Sequence, residues 1–219
     1  MTSAVLARPA AASARSRARL PRWWPLAAVL AGAAALRLST LDLQSFWYDE
    51  AFTPVHVLHT GLGATLRAMV HSENSPPLWY LIAWADARLF GDGEIALRLP
   101  SALVGIATVA LAWEIGLELA GRRCALVCSL LIACSPIFVW YSQEARVYAL
   151  FAFTSALAML CCLRARRQPT PSRMAAFALS GVLALLTHYF AAFLLAGMAV
   201  WLVRDRIARR GALAAYAAI

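Results

Sequence analysis

A polytopic, all-α membrane bundle is the fold class this sequence predicts, on three observations. Of the 219 residues, 62% are hydrophobic and only 14% charged, with a mean hydropathy of +0.67, a balance outside the soluble classes. The apolar residues gather into runs of 14 to 22 residues that few charges interrupt. The charges collect between those runs: all 20 basic residues are Arg, standing mostly in short clusters at run ends. A nucleic-acid binder with this net charge of +9 would present a continuous basic face, so no nucleic-acid partner is expected.

Residues 1–22 carry Arg8, Arg15, Arg17, Arg19 and Arg22 among Ala, Ser and Pro, and are expected to form a basic, disordered cytoplasmic tail. Residues 23–219 then form one membrane domain. Its first run, 24–41, lacks an A-x-A cleavage site after it and is expected to be a retained span. Further spans are expected at 99–120, 124–141, 147–163, 174–187 and 190–203. Residues 77–90 are only 14 long and contain Asp86 and Arg88, short of the ~20 residues that a 30 Å hydrocarbon core requires. A juxtamembrane or re-entrant helix is expected there. Leu58, Leu62, Leu66, Met69 and Val70 have near-helical spacing interrupted by Gly61 and Gly63, as in pieces lying along the membrane surface. Residues 212–219 open another apolar run too short to cross, which suggests a truncated span, or a fold completed by a second chain.

Orientation follows from the Arg residues. The tail, Arg122–Arg123, the group Arg164, Arg166, Arg167 and Arg173, and the group Arg204, Arg206, Arg209 and Arg210 make 15 on one side; Arg67, Arg88, Arg98 and Arg146 make 4 on the other. The positive-inside tendency puts the N-terminus in the cytoplasm of a multi-pass protein of the inner (plasma) membrane. Eight of the 11 acidic residues then face outward. Glu114 and Glu118, inside a span, are expected to pair near Arg122 and Arg123. The five cysteines lie in apolar runs without nearby His and are read as inert thiols, although Cys124 and Cys128 share a helix face.

Three outer segments could carry chemistry. Phe46-Trp47-Tyr48-Asp49-Glu50 sets two carboxylates beside aromatics directly after the first span. Desolvation there raises carboxylate pKa values, and a base or a metal ligand is plausible; an aromatic belt with an acidic helix cap is the alternative. Adjacent helical residues diverge by ~100°, so the two carboxylates are expected to do different jobs. Glu73-Asn74-Ser75-Pro76-Pro77 stops one helix and starts another at the membrane surface. Tyr141-Ser142-Gln143-Glu144-Ala145-Arg146 is a polar hairpin whose Arg146 and Gln143 can hold a phosphate at headgroup level, while Glu144 can pair with Arg or bind a divalent cation. A Glu–Arg pair that merely satisfies the hairpin is the alternative. His188, Tyr189 and Arg98 are weaker candidates, and His56 with His59 weaker still as a metal pair.

In order along the chain, Trp47-x-Asp49-Glu50, Ser75-Pro76-Pro77-Leu78, Leu97-Arg98-Leu99-Pro100-Ser101, Ser142-Gln143-Glu144-Ala145-Arg146-x-Tyr148 and Thr187-His188-Tyr189 resemble the N-terminal part of glycosyltransferase family 39. These are GT-C-fold membrane enzymes related to protein O-mannosyltransferases and aminoarabinose transferases. The resemblance implies a GT-C-like N-terminal module with juxtamembrane helices in the first outer loop. It also implies transfer of a sugar, with inversion, from a polyprenyl-phosphate donor in the bilayer to an acceptor hydroxyl of unspecified identity. By resemblance Asp49 is the base and Glu50 orients it or helps hold a cation. Gln143, Glu144, Arg146, Arg98, Ser75, His188 and Tyr189 would line the donor and its phosphate. Family members are longer than this chain, so activity of the chain alone is not implied. The competing readings are a non-catalytic polyprenyl-lipid-binding protein and a structural membrane protein left by a broken gene. A transporter is disfavoured, because the polar motifs gather at one face rather than at mid-membrane.

Overall fold

The computed structural model describes residues 23–73, 75–204 and 217–219, and among them there are helices and no strand. The expected tail 1–22 and most of the run 212–219 lie outside the described residues. The elements are α1 (Trp24–Leu38), α2 (Tyr48–Phe52), a π-helical turn (Thr53–Val57), α3 (Leu62–Ser72), α4 (Leu78–Phe90) and α5 (Glu94–Ala120). Then follow α6 (Arg122–Cys134), α7 (Pro136–Ser142), α8 (Tyr148–Arg167), α9 (Pro171–Thr187) and α10 (Ala191–Arg204). By length and composition α5 and α8 can each cross a bilayer, and α6 with α7 makes a third if counted as one bent span. The helices α1, α9 and α10 are apolar but shorter. Large apolar side chains such as Leu103, Leu131, Leu179 and Phe193 are exposed on the bundle's outside, as suits a multi-pass protein surrounded by lipid.

Several expectations are corrected. The run 124–141 is two helices bent by 59° at Ser135. The cause is local: the Pro136 ring excludes helical geometry at the preceding residue, and Ser135 is extended at φ −64°, ψ 123°. Where 99–120 was expected, α5 starts at Glu94, whose charge suits the N-terminal turn, so Arg98 sits inside a helix rather than ahead of one. Gly63 does not interrupt α3; only Gly61 does, as its extended N-cap. Glu114 and Glu118 do pair at the expected end of their helix, and their partners there include Arg164 and Arg167 of α8: Arg164 lies 2.6 Å from Glu114 and 3.1 Å from Glu118, and Arg167 lies 3.0 Å from Glu118.

The long helix α5 is the axis, packed by α1, α4, α6, α7 and α8, while α9 and α10 pack on α8 around Phe177, Met198 and Leu202. Close approach of α5 and α6 requires Gly116, where a Cβ would overlap the Ala125 backbone. Gly91 and Gly121 end α4 and α5 at φ 91° and 81°, a region costly for any side chain. The start of α4 follows Glu73, which pairs with Arg146, and its end leads within four residues to α5, one turn before Arg98.

The bend at Ser135 is held by α1. Pro136 has no N–H to offer the carbonyl of Ile132. The wholly buried Arg37 donates instead to Ile132 O at 3.0 Å and Ala133 O at 3.1 Å, and through Nε to Ser142 Oγ at 3.2 Å. Gln143 answers from α7, its amide donating to Leu36 O at 2.9 Å and also to Thr40. α1 thus supplies donors for carbonyls at the end of α6, and the residue capping α7 supplies one for a carbonyl at the end of α1, positioning the 142–146 hairpin against the segment that follows α1.

Candidate active site

Asp49 and Glu50 occupy the first turn of α2, where the helix dipole favours acids. They diverge as helix geometry requires. Glu50 turns inward and is 1% exposed, whereas the Asp49 side chain is 38% exposed. Glu50 grips Arg98 with both oxygens, at 2.6 Å to Nη2 and 2.9 Å to Nε, and accepts the Ala145 N–H at 2.8 Å. Arg98 spends its remaining N–H groups on the carbonyls of Leu41 and Gln44, both at 2.7 Å, and Ser45 at 3.4 Å. With Phe46 over the guanidinium at 5.3 Å, all five donors are committed within the protein. Arg98 was expected on the phosphate side; it is instead a buried clamp that fixes residues 41–50 against α5 and the hairpin.

Arg146 is the cation that remains beside Asp49. Its Nη1 donates to Glu73 Oε1 at 2.9 Å and its Nη2 to Oε2 at 3.4 Å. Asp49 Oδ2 stands 3.6 Å from its Nε, an ion-pair distance too long for a hydrogen bond, and Nε has no hydrogen-bond partner. Burial alone would lower the Arg146 pKa, but the hydrogen bonds and charge of Glu73, with Tyr80 and Asp49, raise it instead. Behind Glu73 stands the buried Tyr80, whose phenol is pushed far up by burial and by the Glu73 charge, so it remains a neutral hydroxyl bonded to Glu73. Glu73 and Tyr80 were not among the expected site residues. The signal for Glu73 was its place as the one acid in the segment before Ser75-Pro76-Pro77.

The other candidates divide. Glu144 is buried with both oxygens closed off from solvent, and the Trp140 side chain approaches it as a donor without reaching full hydrogen-bond geometry. Burial raises its pKa, with Glu50 and Asp49 adding to the effect and Trp140 and Arg146 opposing it. With Gln143, Glu50 and Arg98 it lines an open cleft of about 270 Å³, whose other walls are Thr40, Leu43, Gln44, Trp47 and Trp140. Gln143 is largely committed to the end of α1. Ser75 donates only to Glu73 O, at 3.3 Å. His188 is tied to its own turn: its Nδ1 accepts from Phe190 N at 3.2 Å, its ring packs on Phe151, and burial lowers its pKa. Tyr189 is exposed in the same turn. Those two reach the acidic cluster only by way of the start of α8.

An apolar groove of about 660 Å³ lies between α5, α6, α7 and α8, lined by Ile115, Leu131 and Phe138 among others and ending at Tyr141 and Tyr148, which flank the hairpin. Among the described residues no three His, Cys, Asp or Glu side chains converge as a metal site. His56 stacks on Phe52, and the Cys124 and Cys128 sulfurs stand 3.8 Å apart as free thiols.

No solved structure matches the chain. A Bacillus subtilis (strain 168) protein named "Putative mannosyltransferase YkcB" is 27% identical over 138 residues, covering 58% of this chain and 19% of the relative. The chain therefore spans about a fifth of the length of that curated relative. Residues 74–219, two thirds of the chain, match the family described as dolichyl-phosphate-mannose-protein mannosyltransferase. That match takes in Arg98, the Gln143–Arg146 hairpin and every helix from α4 onward, and the chain belongs to this family of membrane glycosyltransferases.

Proposed function

We propose that this chain forms the catalytic end of a membrane transferase that moves a sugar from a polyprenyl-phosphate donor to an acceptor hydroxyl at the outer face of the cell membrane, with its N-terminus in the cytoplasm. The observation that carries the reading is the pairing of Asp49 with Arg146. Of the four carboxylates gathered here, Asp49 alone is substantially open to solvent, and it stands 3.6 Å from an arginine edge that makes no hydrogen bond.

In this mechanism the Asp49 carboxylate takes the proton of the acceptor hydroxyl as that oxygen bonds the anomeric carbon. The anomeric carbon–oxygen bond to phosphate breaks, and its electron pair stays on the phosphate oxygen, where Arg146 compensates the charge. Attack opposite the leaving phosphate inverts the configuration. The apolar groove ending at Tyr141 and Tyr148 suits the isoprenoid chain. Glu50 and Arg98 act on the reaction by holding Asp49 in place. The remainder of the enzyme, from further polypeptide or a second chain, would supply the acceptor side.

The test uses the full-length protein in membranes with a labelled polyprenyl-phosphate sugar. Asp49→Asn keeps the side chain's shape but cannot accept a proton, and is expected to cut transfer by ~10²–10⁴-fold while donor binding persists. Arg146→Ala is expected to weaken donor binding itself. Near-normal turnover by Asp49→Asn would remove this carboxylate from the mechanism, and lipid binding without turnover in the wild type would favour the non-catalytic alternative.

A further inference from the structure

Three helices end together at the side of the bundle away from Asp49: α5 at Ala120, α8 at Arg167 and α10 at Arg204. Arg164 and Arg167 of α8 reach Glu118 on α5, and Arg173 at the start of α9 donates to the Arg164 carbonyl at 3.1 Å. Arg166 lies over the Trp201 ring of α10, 4.5 Å from its centre. With Arg122, Arg123 and Arg204 this end carries seven arginines against two glutamates, Glu114 and Glu118, among the described residues. The surface there therefore keeps a strong net positive charge.

Beside it, toward the membrane interior, an apolar groove of about 570 Å³ opens between the same three helices, walled by Leu119 of α5, Leu163 of α8 and Phe193, Gly197 and Trp201 of α10 among others. From Trp201 to Phe193 the groove follows α10 for about 12 Å at the helical rise, close to the half-thickness of a ~30 Å hydrocarbon core. Gly197 stands midway. A Cβ there would meet nothing within 4 Å, whereas one at Gly116 would overlap the Ala125 backbone. Glycine weakens a helix interior, and among the described residues nothing packs on Gly197 closely enough to require one.

We propose that this groove holds an acyl chain of an anionic phospholipid, whose phosphodiester rests among the arginines at the level of Trp201. Tryptophan favours the headgroup level of a bilayer, and from Trp201 the groove reaches one leaflet deep. That depth suits an acyl chain, whereas a further transmembrane helix needs a face running the full thickness. Charge selects the headgroup, since each arginine near it favours an anionic lipid by about fivefold. About 30 Å of α5 separates Leu119 from Arg98, so the site is remote from Asp49 and Arg146 and independent of the transferase reading.

Lipid retention by the full-length protein tests this. Protein in detergent is given phosphatidylglycerol, or phosphatidylcholine with the same acyl chains, and bound lipid is counted by native mass spectrometry. The wild type is expected to prefer phosphatidylglycerol by about 25-fold, the weight of two arginines. Gly197→Leu fills the groove from open space and is expected to abolish that retention while melting no lower than wild type. Arg166→Gln is expected to lose about fivefold of the preference with phosphatidylcholine binding unchanged. Equal wild-type affinity for the two lipids overturns the site. A preference that survives Gly197→Leu also overturns it, by reducing the arginines to a surface charge without a groove. A lower melting temperature of Gly197→Leu in lipid-free detergent would give the groove to a further helix of the full-length protein, and displacement of phosphatidylglycerol by polyprenyl phosphate would give it to the donor lipid. Either result overturns the proposal.

Discussion

The Glu50–Arg98 pair offers the sharpest perturbation. Removing one partner, as in Glu50→Ala, strands a guanidinium that is almost wholly buried and orphans the Ala145 N–H, and loss of one member of such a pair typically costs about 3–5 kcal/mol. Buried ion pairs can often be replaced by apolar residues of similar volume at no cost, and the double variant Glu50→Leu/Arg98→Met would then recover wild-type stability. Here the geometry argues against recovery. Arg98 also satisfies the Leu41 and Gln44 carbonyls at 2.7 Å, and Glu50 the Ala145 N–H at 2.8 Å. At about 1–3 kcal/mol for each buried group left unmade, the Leu41 carbonyl and the Ala145 N–H should keep the double variant at least about 2 kcal/mol below wild type. Unfolding in detergent micelles, followed by helix loss against denaturant, measures this. The transfer assay should show turnover falling in both variants, because the segment bearing Asp49 loses its anchor. A double variant as stable and as active as wild type would refute the clamp and reduce Glu50 and Arg98 to an exchangeable charge pair.

Gly105→Ala should destabilise by about 1–3 kcal/mol, because the new Cβ would overlap Ser142 Oγ and sit 3.2 Å from Arg37 Nε; Ser142→Gly in the same chain should return part of the loss in the unfolding assay. The Glu144 carboxyl titrates above its ordinary 4.5 because of burial, then the charges of Glu50 and Asp49, so the folded state holds its proton to higher pH than the unfolded chain. Its burial therefore costs nothing below pH 4.5 and a growing amount as the pH rises through the folded pKa. Glu144→Gln should accordingly melt above wild type at neutral pH, with the gap closing on acidification; a gap that is constant with pH refutes the burial argument. For orientation, a cysteine placed at Ser45 in a chain freed of its native cysteines should react with an impermeant label from outside, and one at Ser172 only after permeabilisation. The reverse pattern would invert the topology.

Much of the helical content could be read directly from the chain, because hydropathy and Arg clustering act over spans of 15 to 27 residues and need no distant partner. The bend at Ser135 was equally local, carried by Pro136 within a run whose composition alone suggested one straight span. The divergence of Asp49 and Glu50 followed from helix geometry as well. Which of the two would be buried did not, since that depends on Arg98, 48 residues away. The same holds for Arg146 with Glu73, 73 residues apart, and for Arg37 with the Ile132 carbonyl, 95 apart. In sequence Arg146 and Gln143 read as phosphate donors, Arg98 as a weaker one, and Glu144 as a partner for Arg or a divalent cation. Packing separated them into a clamp whose donors are exhausted, an amide spent on the end of α1, a buried carboxylate and one buried cation whose Nε is left without a hydrogen bond beside Asp49. Local pattern reports what a backbone segment prefers, but a polar side chain's role is decided by which donors and acceptors remain unfilled after the helices pack. That remainder is a property of contacts between segments far apart in the chain, and only the tertiary structure contains it.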